Sequence, residues 1–288
     1  MDVTSRIEYA LDQAVSLAEV PGCPPRLAAA MRYAVFPRGA RVRPRLVHAV
    51  ANACGEDNPA ATEAAGAALE LLHCASLVHD DLPCFDAAET RRGRPSVHKA
   101  FGEPLAVLTG DALIVLAFQT LARVNCAADR LATLTLTVAR SVGVPNGIVA
   151  GQAWECESQI DLAHYHRAKT GALFAAATVA GAASAGADAE PWRMVGEKLG
   201  EAYQVADDIR DAAADEDEIG KPVGRDLALG RPSAVTAYGL DGAVHRLHAL
   251  VHGAIDAMPP CRNGSELRSL MLSEAKRLVP KKLAQFAA

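Results

Sequence analysis

Residues 72–92 read LHCASLVHDDLPCFDAAETRR. An apolar stretch of helical character runs straight into Asp80 and Asp81; Asp86 follows, and Arg91 and Arg92 come close behind. The C-terminus of a helix already carries partial negative charge, and an anion there costs roughly 0.3–1 kcal/mol. Something positive is therefore expected at this helix end. Carboxylate oxygens that hold Mg²⁺ together with a substrate's phosphates meet that demand. A chain built this way has to fold so that the end of an apolar helix borders a site for an anionic ligand.

The remaining sequence reads as helices around that point. Half of the 288 residues are hydrophobic, with Ala and Leu dominant and aromatic residues at 5%, a helix-forming composition. Helical periods are expected over 4–19, 25–36, 45–54, 59–81, 104–123, 128–142, 147–158, 164–186, 233–239, 242–257 and 264–278. Asn58-Pro59 makes a plausible N-cap and first-turn proline. Residues 82–103 and 214–226 read as polar, irregular loops, and no strand-like alternation stands out. The expectation is one all-α domain over 1–288.

Composition also excludes some functions. Lys+Arg 29 against Asp+Glu 34, net charge −5, provides no basic field for nucleic acid. Seven cysteines in apolar contexts, with no CxxC pair, read as reduced, buried thiols of a cytoplasmic protein. The N-terminus MDVTSRIEYALDQAV has no signal-peptide pattern. No run approaches the ~18 uncharged apolar residues of a transmembrane helix.

A second acidic constellation, EAYQVADDIRD at 201–211, leads into GKPVGRD. Asp207 and Asp211 share a helix face, where like charges repel, and Asp208 adds to the crowding. A DD pair alone is most often a solvated surface. Two such clusters, each ending an Ala/Leu-rich helix and each followed by Arg or Lys, suit diphosphate handling: carboxylates hold Mg²⁺, and Arg91, Arg92 and Lys221 add charge-assisted hydrogen bonds. Other positions stay open. Residues 37–44, PRGARVRP, are either a solvated turn or an anion site. Lys169 enters an apolar helix either as a snorkelling lysine or to meet a charge in a cavity. Asp111 reads as a satisfied buried carboxylate, and Glu155 and Glu157 as ordinary exposed residues.

DDLPCFD with RRG, and QVADDIRD with GKPVGRD, resemble the paired aspartate-rich motifs of the short-chain trans-prenyl diphosphate synthases. ELLHCASLVHDD, GEPLAVLTGDAL, Gly151-Gln152 and RAKTGAL fall in that family's order, and the likeness covers nearly the whole chain. It is nearest to the geranylgeranyl diphosphate synthases of carotenoid and bacteriochlorophyll branches. The resemblance implies a homodimer of helical bundles, each around a deep cavity, with about three Mg²⁺ held by Asp80, Asp81, Asp86, Asp207, Asp208 and Asp211. It implies that Arg91, Lys169 and Lys221 hold an allylic diphosphate (dimethylallyl, geranyl or farnesyl). Thr170 and Gln204 would present oxygens to the developing allylic cation, and Arg43, His73 and Arg92 would bind isopentenyl diphosphate. The implied reaction is ionisation of the allylic diphosphate, head-to-tail attack by the isopentenyl double bond and proton loss, with the loops 82–103 and 214–226 as candidate lids.

Chain length in this family depends on the floor beneath the first motif. Farnesyl-forming members commonly carry Tyr or Phe at the fifth residue before the first aspartate; here Ala75 and its neighbour Ser76 are small, which implies a C20 rather than a C15 product. The chain departs from the family at its PGGKRIRP turn, where Ala40 stands in place of a lysine that binds isopentenyl diphosphate. That departure keeps a non-catalytic partner subunit in view. A His-Asp phosphohydrolase built on His79-Asp80, with His48, His73 and His98 nearby in sequence, leaves the second cluster and RRG unexplained.

Overall fold

A computed structural model describes residues 1–36, 39–159, 162–213 and 233–278. Two helices at its centre decide the rest. α4 (Pro59–Asp80) is capped by the Asn58 side chain, which accepts from Ala61 N at 3.1 Å. It is Ala/Leu-rich and buried on most of its circumference. α10 (Ala172–Ser184) is buried at every residue from Leu173 to Ser184. A helix that is apolar all round has to be wrapped by others, and Ala and Gly on α10 let them come close. Around this pair pack α1 (Val3–Ser16), α3 (Val42–Cys54), α6 (Glu103–Ala122) and α7 (Ala128–Val142), which share one core with it.

α11 (Arg193–Ala213) lies against α10 and brings Ala202, Val205, Ala206 and Ile209 onto one face. That face packs on Ala243, Val244, Leu247 and Val251 of α12 (Ala234–Asp256), which is broken at Gly239. α13 (Gly264–Leu278) returns along α3. α2 (Pro25–Val35), with a first-turn proline, packs on α6. Between α7 and α10 run α8 (Ile148–Ala153), a 3₁₀ turn (Trp154–Cys156), α9 (Leu162–His166) and a π-turn (Arg167–Gly171).

Several expectations need correction. The loop 82–103 contains a small antiparallel hairpin, β1 (Thr90–Arg91) and β2 (Arg94–Pro95), followed by α5 (Val97–Phe101). Its turn residues Arg92 and Gly93 both have positive φ, 53° and 76°, the conformation of a type I′ hairpin turn. Two-residue strands are too short to show an alternation. The helix expected over 147–158 is α8 and a 3₁₀ turn. Asp111 is not buried: its side chain is 60% exposed and faces His79 Nε2 at 3.7 Å. Among the cysteines, Cys74 is buried, but Cys84 and Cys156 are exposed because they sit in the loop after α4 and in the 3₁₀ turn.

Candidate active site

α4 delivers Asp80 and Asp81 at its last turn, and successive helical residues point about 100° apart. Asp80 faces a charged neighbourhood of Lys169, Asp86, Glu155 and Arg91. Burial, helped by the Asp86 and Glu155 charges and opposed by Lys169, pushes its carboxyl up to about 6. Asp81 turns the other way. It is 2% exposed and accepts from Arg91 Nε at 3.0 and 3.2 Å and from Arg91 Nη2. This pair, buried on the Asp81 side, ties the hairpin to the helix end.

The hairpin register sets Arg91 opposite Arg94. Arg94 donates to the carbonyls of Tyr33 and Phe36 and lies over the Tyr33 ring at 3.6 Å, so the hairpin is clamped to the C-terminal end of α2. Arg92, at the exposed turn, rests its guanidinium against Gly39. Arg43, in the first turn of α3, is buried over the Phe174 ring at 5.2 Å, and its Nε has no hydrogen-bond partner. Burial, and then the charges of Arg43, Arg92, Arg91 and Arg41, hold His73 well below the ordinary imidazole range. An excess of positive charge around a half-buried imidazole suits an anion. Arg41 is not free to replace the lysine missing at Ala40. It is buried, donating to Glu8 Oε1 at 2.9 Å, Glu70 Oε1 at 2.8 Å and Val35 O at 3.0 Å.

The π-turn lies between the two acidic motifs. Such turns are often found at functional sites. Lys169 donates to Glu155, which also accepts from Tyr165 Oη at 2.6 Å and Gln152 Nε2 at 3.3 Å. The next residue, Thr170, donates from Oγ1 to Gln204 Oε1 at 2.9 Å. Gln204 Nε2 in turn donates to Asp208 Oδ1 at 2.9 Å. One five-residue turn thus carries a cation toward Asp80 and a hydroxyl toward α11. Glu155 is the residue that sequence reasoning missed. Its position three residues beyond Gln152 on one helical face, followed by a lysine in an apolar helix, was the available signal.

On α11, Asp207 is partly exposed and accepts from Arg210 at 3.3 Å, while Asp208 is 6% exposed. The rings of Phe174 and Tyr203, 5.1 Å apart, link Arg43 to this helix. Gln204 and Asp208 form part of the wall of a cleft of about 1260 Å³ between the π-turn, α10, α11 and α12. Ala75 is not on that wall: it is 1% exposed in the main core, while Ser76 is partly exposed and donates to His73 O at 2.9 Å. Lys221 and Arg38 lie outside the described residues, as does the loop 214–226.

The model of the family described as Polyprenyl synthetase matches residues 24–257, which takes in both acidic motifs and the π-turn between them. The chain belongs to the polyprenyl synthetase family. Among curated proteins, this polyprenyl synthetase is 53% identical over 287 residues to the geranylgeranyl diphosphate synthase of Cereibacter sphaeroides, covering 99% of each chain. It is 50% identical over 280 residues to the enzyme of the same name from Rhodobacter capsulatus, covering 97% of each. Among solved structures, geranylgeranyl pyrophosphate synthetase from Pyrococcus horikoshii superposes with a TM-score of 0.82 at 28% identity, over 97% of this chain and 98% of that one. The all-α isoprenoid-synthase fold expected from sequence is the fold observed. The phosphohydrolase reading is overturned by this membership, and His79 turns away from it too, with Nε2 3.2 Å from Val107 O.

The donor set of this polyprenyl synthetase suits a hard divalent cation, because the groups at both helix ends are carboxylates. Among the described residues no three His, Cys, Asp or Glu side chains form a closed cage. Mg²⁺ needs none: it binds through one or two carboxylates and completes its shell with water and substrate phosphate.

Proposed function

We propose that the chain catalyses Mg²⁺-dependent head-to-tail condensation of isopentenyl diphosphate with allylic diphosphates, and that its product is geranylgeranyl diphosphate, a C20 precursor for carotenoid and bacteriochlorophyll biosynthesis. The observation that carries this reading is the π-turn that joins the two acidic motifs, Lys169 toward Asp80 and Thr170 toward Gln204. The names of the two bacterial relatives support the product.

Asp80 and Asp86 on one side and Asp207 and Asp211 on the other are the groups that would hold metal. When bound, Mg²⁺ supplies charge that makes pyrophosphate a good leaving group. Arg91 and Lys169, with Lys221, grip the allylic diphosphate. Arg43, Arg92 and His73 grip isopentenyl diphosphate, and the buried Nε of Arg43, which has no hydrogen-bond partner, supports this reading. The allylic C–O bond breaks with its electron pair leaving on pyrophosphate. The isopentenyl double bond then forms the new C–C bond, and the proton released from the adduct goes to the departing pyrophosphate, since no side chain among the described residues stands out as a base. Thr170 Oγ1 and Gln204 Oε1 offer lone pairs to the cation while it lasts. Water must be kept out of such a site.

The functional unit in this reading is a homodimer. α6 buries Leu113, Leu116, Ala117 and Leu121, yet leaves Val107, Leu108 and Val115 exposed on its other side. A second copy laid along that face would cover them. Size-exclusion chromatography with light scattering tests this; a monomer at micromolar concentration would overturn it.

Purified protein incubated with Mg²⁺, labelled isopentenyl diphosphate and separate C5, C10 or C15 allylic partners tests the activity. Products sized after dephosphorylation should be mainly C20. No elongation with any partner would overturn the synthase reading.

A further inference from the structure

The two aspartates of the second motif are differently placed. Asp207 lies on the open side of α11, its side chain 45% exposed. Asp208, one residue on, is buried beside the face that packs on α12. Both of its oxygens are engaged. Oδ2 accepts from the backbone N–H of Ala234 at 2.7 Å, and Ala234 is the first residue of α12. A helix N-terminus carries partial positive charge and unpaired N–H groups, so a carboxylate is well placed there. Oδ1 accepts from Gln204 Nε2 at 2.9 Å. A carboxylate only accepts, so the amide NH₂ of Gln204 must face Asp208 and its carbonyl must face the other way. That carbonyl is the group that accepts from Thr170 Oγ1.

We propose that Asp208 is a positioning residue and not a metal ligand: it seats the start of α12 and, by fixing the amide orientation of Gln204, sets the direction of the Thr170 hydroxyl. The inference deepens the synthase reading and rests on it for what Thr170 does. The first motif has the same division, with Asp80 facing the charged site and Asp81 buried against Arg91. In each pair the second carboxylate holds the structure that follows the motif. The two donors meet separate oxygens of Asp208, and Asp208→Asn replaces one of them by an NH₂, which turns donor against donor at either Ala234 N–H or Gln204 Nε2.

The test compares Asp208→Asn with Asp207→Asn and Gln204→Leu. Three quantities are read: Mg²⁺ uptake with inorganic pyrophosphate by calorimetry, amide exchange at 234–238 in metal-free protein, and steady-state kinetics. Asp208→Asn should keep Mg²⁺–pyrophosphate affinity within about twofold of the parent, exchange at least roughly tenfold faster at the start of α12, and lose kcat with the allylic KM unchanged. Asp207→Asn should weaken metal uptake by roughly tenfold or more and leave α12 protected. Gln204→Leu should lose kcat with α12 intact, and adding Asp208→Asn to it should cost little more in kcat, a coupling that general loosening would not produce. Asp208→Glu, which keeps the charge but shifts the oxygens, carries the same comparison if the Asn variant does not fold. Loss of metal affinity in Asp208→Asn equal to that in Asp207→Asn, with α12 still protected, would overturn the proposal, as would additive kcat losses. If the parent protein takes up no Mg²⁺ with pyrophosphate, it is the synthase reading that fails; exchange at α12 in metal-free protein tests the anchoring by Asp208 separately.

Discussion

A β-carbon on Gly151 would lie 2.5 Å from the backbone nitrogen of Lys169 and 2.6 Å from its Cα. α8 and the π-turn touch backbone to backbone, and this contact sets where the Lys169 ammonium starts. Because the obstacle is main chain, it cannot swing aside. Gly151→Ala should destabilise the protein by about 1–3 kcal/mol, as overpacking does, and lower kcat/KM for the allylic substrate. Urea unfolding and steady-state kinetics on the same preparation check both. A variant with parental stability and kinetics would mean the π-turn is free to shift.

Glu155 holds the Lys169 ammonium. Burial works against that charge, but hydrogen bonding to Glu155 and the charges of Tyr165 and Asp80 leave Lys169 above the ordinary lysine range. Glu155→Gln removes the strongest of these supports. The Lys169 value should then fall, so the alkaline limb of kcat/KM moves to lower pH, with roughly tenfold lower activity, the order of one charge-assisted hydrogen bond. A pH–rate profile read for both proteins decides it; coincident alkaline limbs would rule out this role for Glu155.

Ala40 is exposed, Arg41 is committed to Glu8 and Glu70, and the Arg92 guanidinium sits on Gly39. Ala40→Lys restores the family's cation beside this group. The KM for isopentenyl diphosphate should fall several-fold, the order of one exposed charge contact, with the allylic KM unchanged. Equal shifts in both constants would show that position 40 does not face the homoallylic diphosphate.

Product length is predicted from Ala75 and Ser76. Ala75→Tyr should shorten the main product to C15, at a cost of about 1–3 kcal/mol for forcing a ring into a filled core. Ser76→Phe should shorten it with a smaller loss, since Ser76 is already partly exposed. Chromatography of dephosphorylated products, with a thermal melt alongside, separates the two effects. Mainly C20 from both variants would place the floor elsewhere.

His48 on α3 is buried, with neither ring nitrogen bonded. Burial, and then the charge of Arg6, push it down to about 4 against the opposing pull of Glu56. The unfolded chain, with a value near ~6.5, binds the proton first. The neutral buried ring therefore gives its full stability above about pH 6.5 and loses it as pH falls toward 4, up to about 3 kcal/mol. His48→Leu should flatten that acid loss. Urea midpoints at pH 7 and pH 4.5 measure it; an equal fall in parent and variant would clear His48 of the effect.

Much of this arrangement was legible in the chain alone, because helices are local. The capping by Asn58, the apolar run ending on Asp80 and Asp81, and the shared face of Asp207 and Asp211 follow from spacing along one strand of sequence. So does membership in the family, which rests on motifs in order. What no local pattern contained was the direction in which neighbouring charges turn. Asp81 and Asp208 carry the same letters as Asp80 and Asp207, yet each is buried against a partner far along the chain, Arg91 on the hairpin and Ala234 at the head of α12. Arg41 and Arg43 stand two residues apart in one sequence, yet Glu8 and Glu70 enclose Arg41, and Glu155, ordinary in its local sequence, is met by Lys169 of the π-turn. A carboxylate's role depends on which cation or N–H reaches it first, and the packing of separate helices decides that.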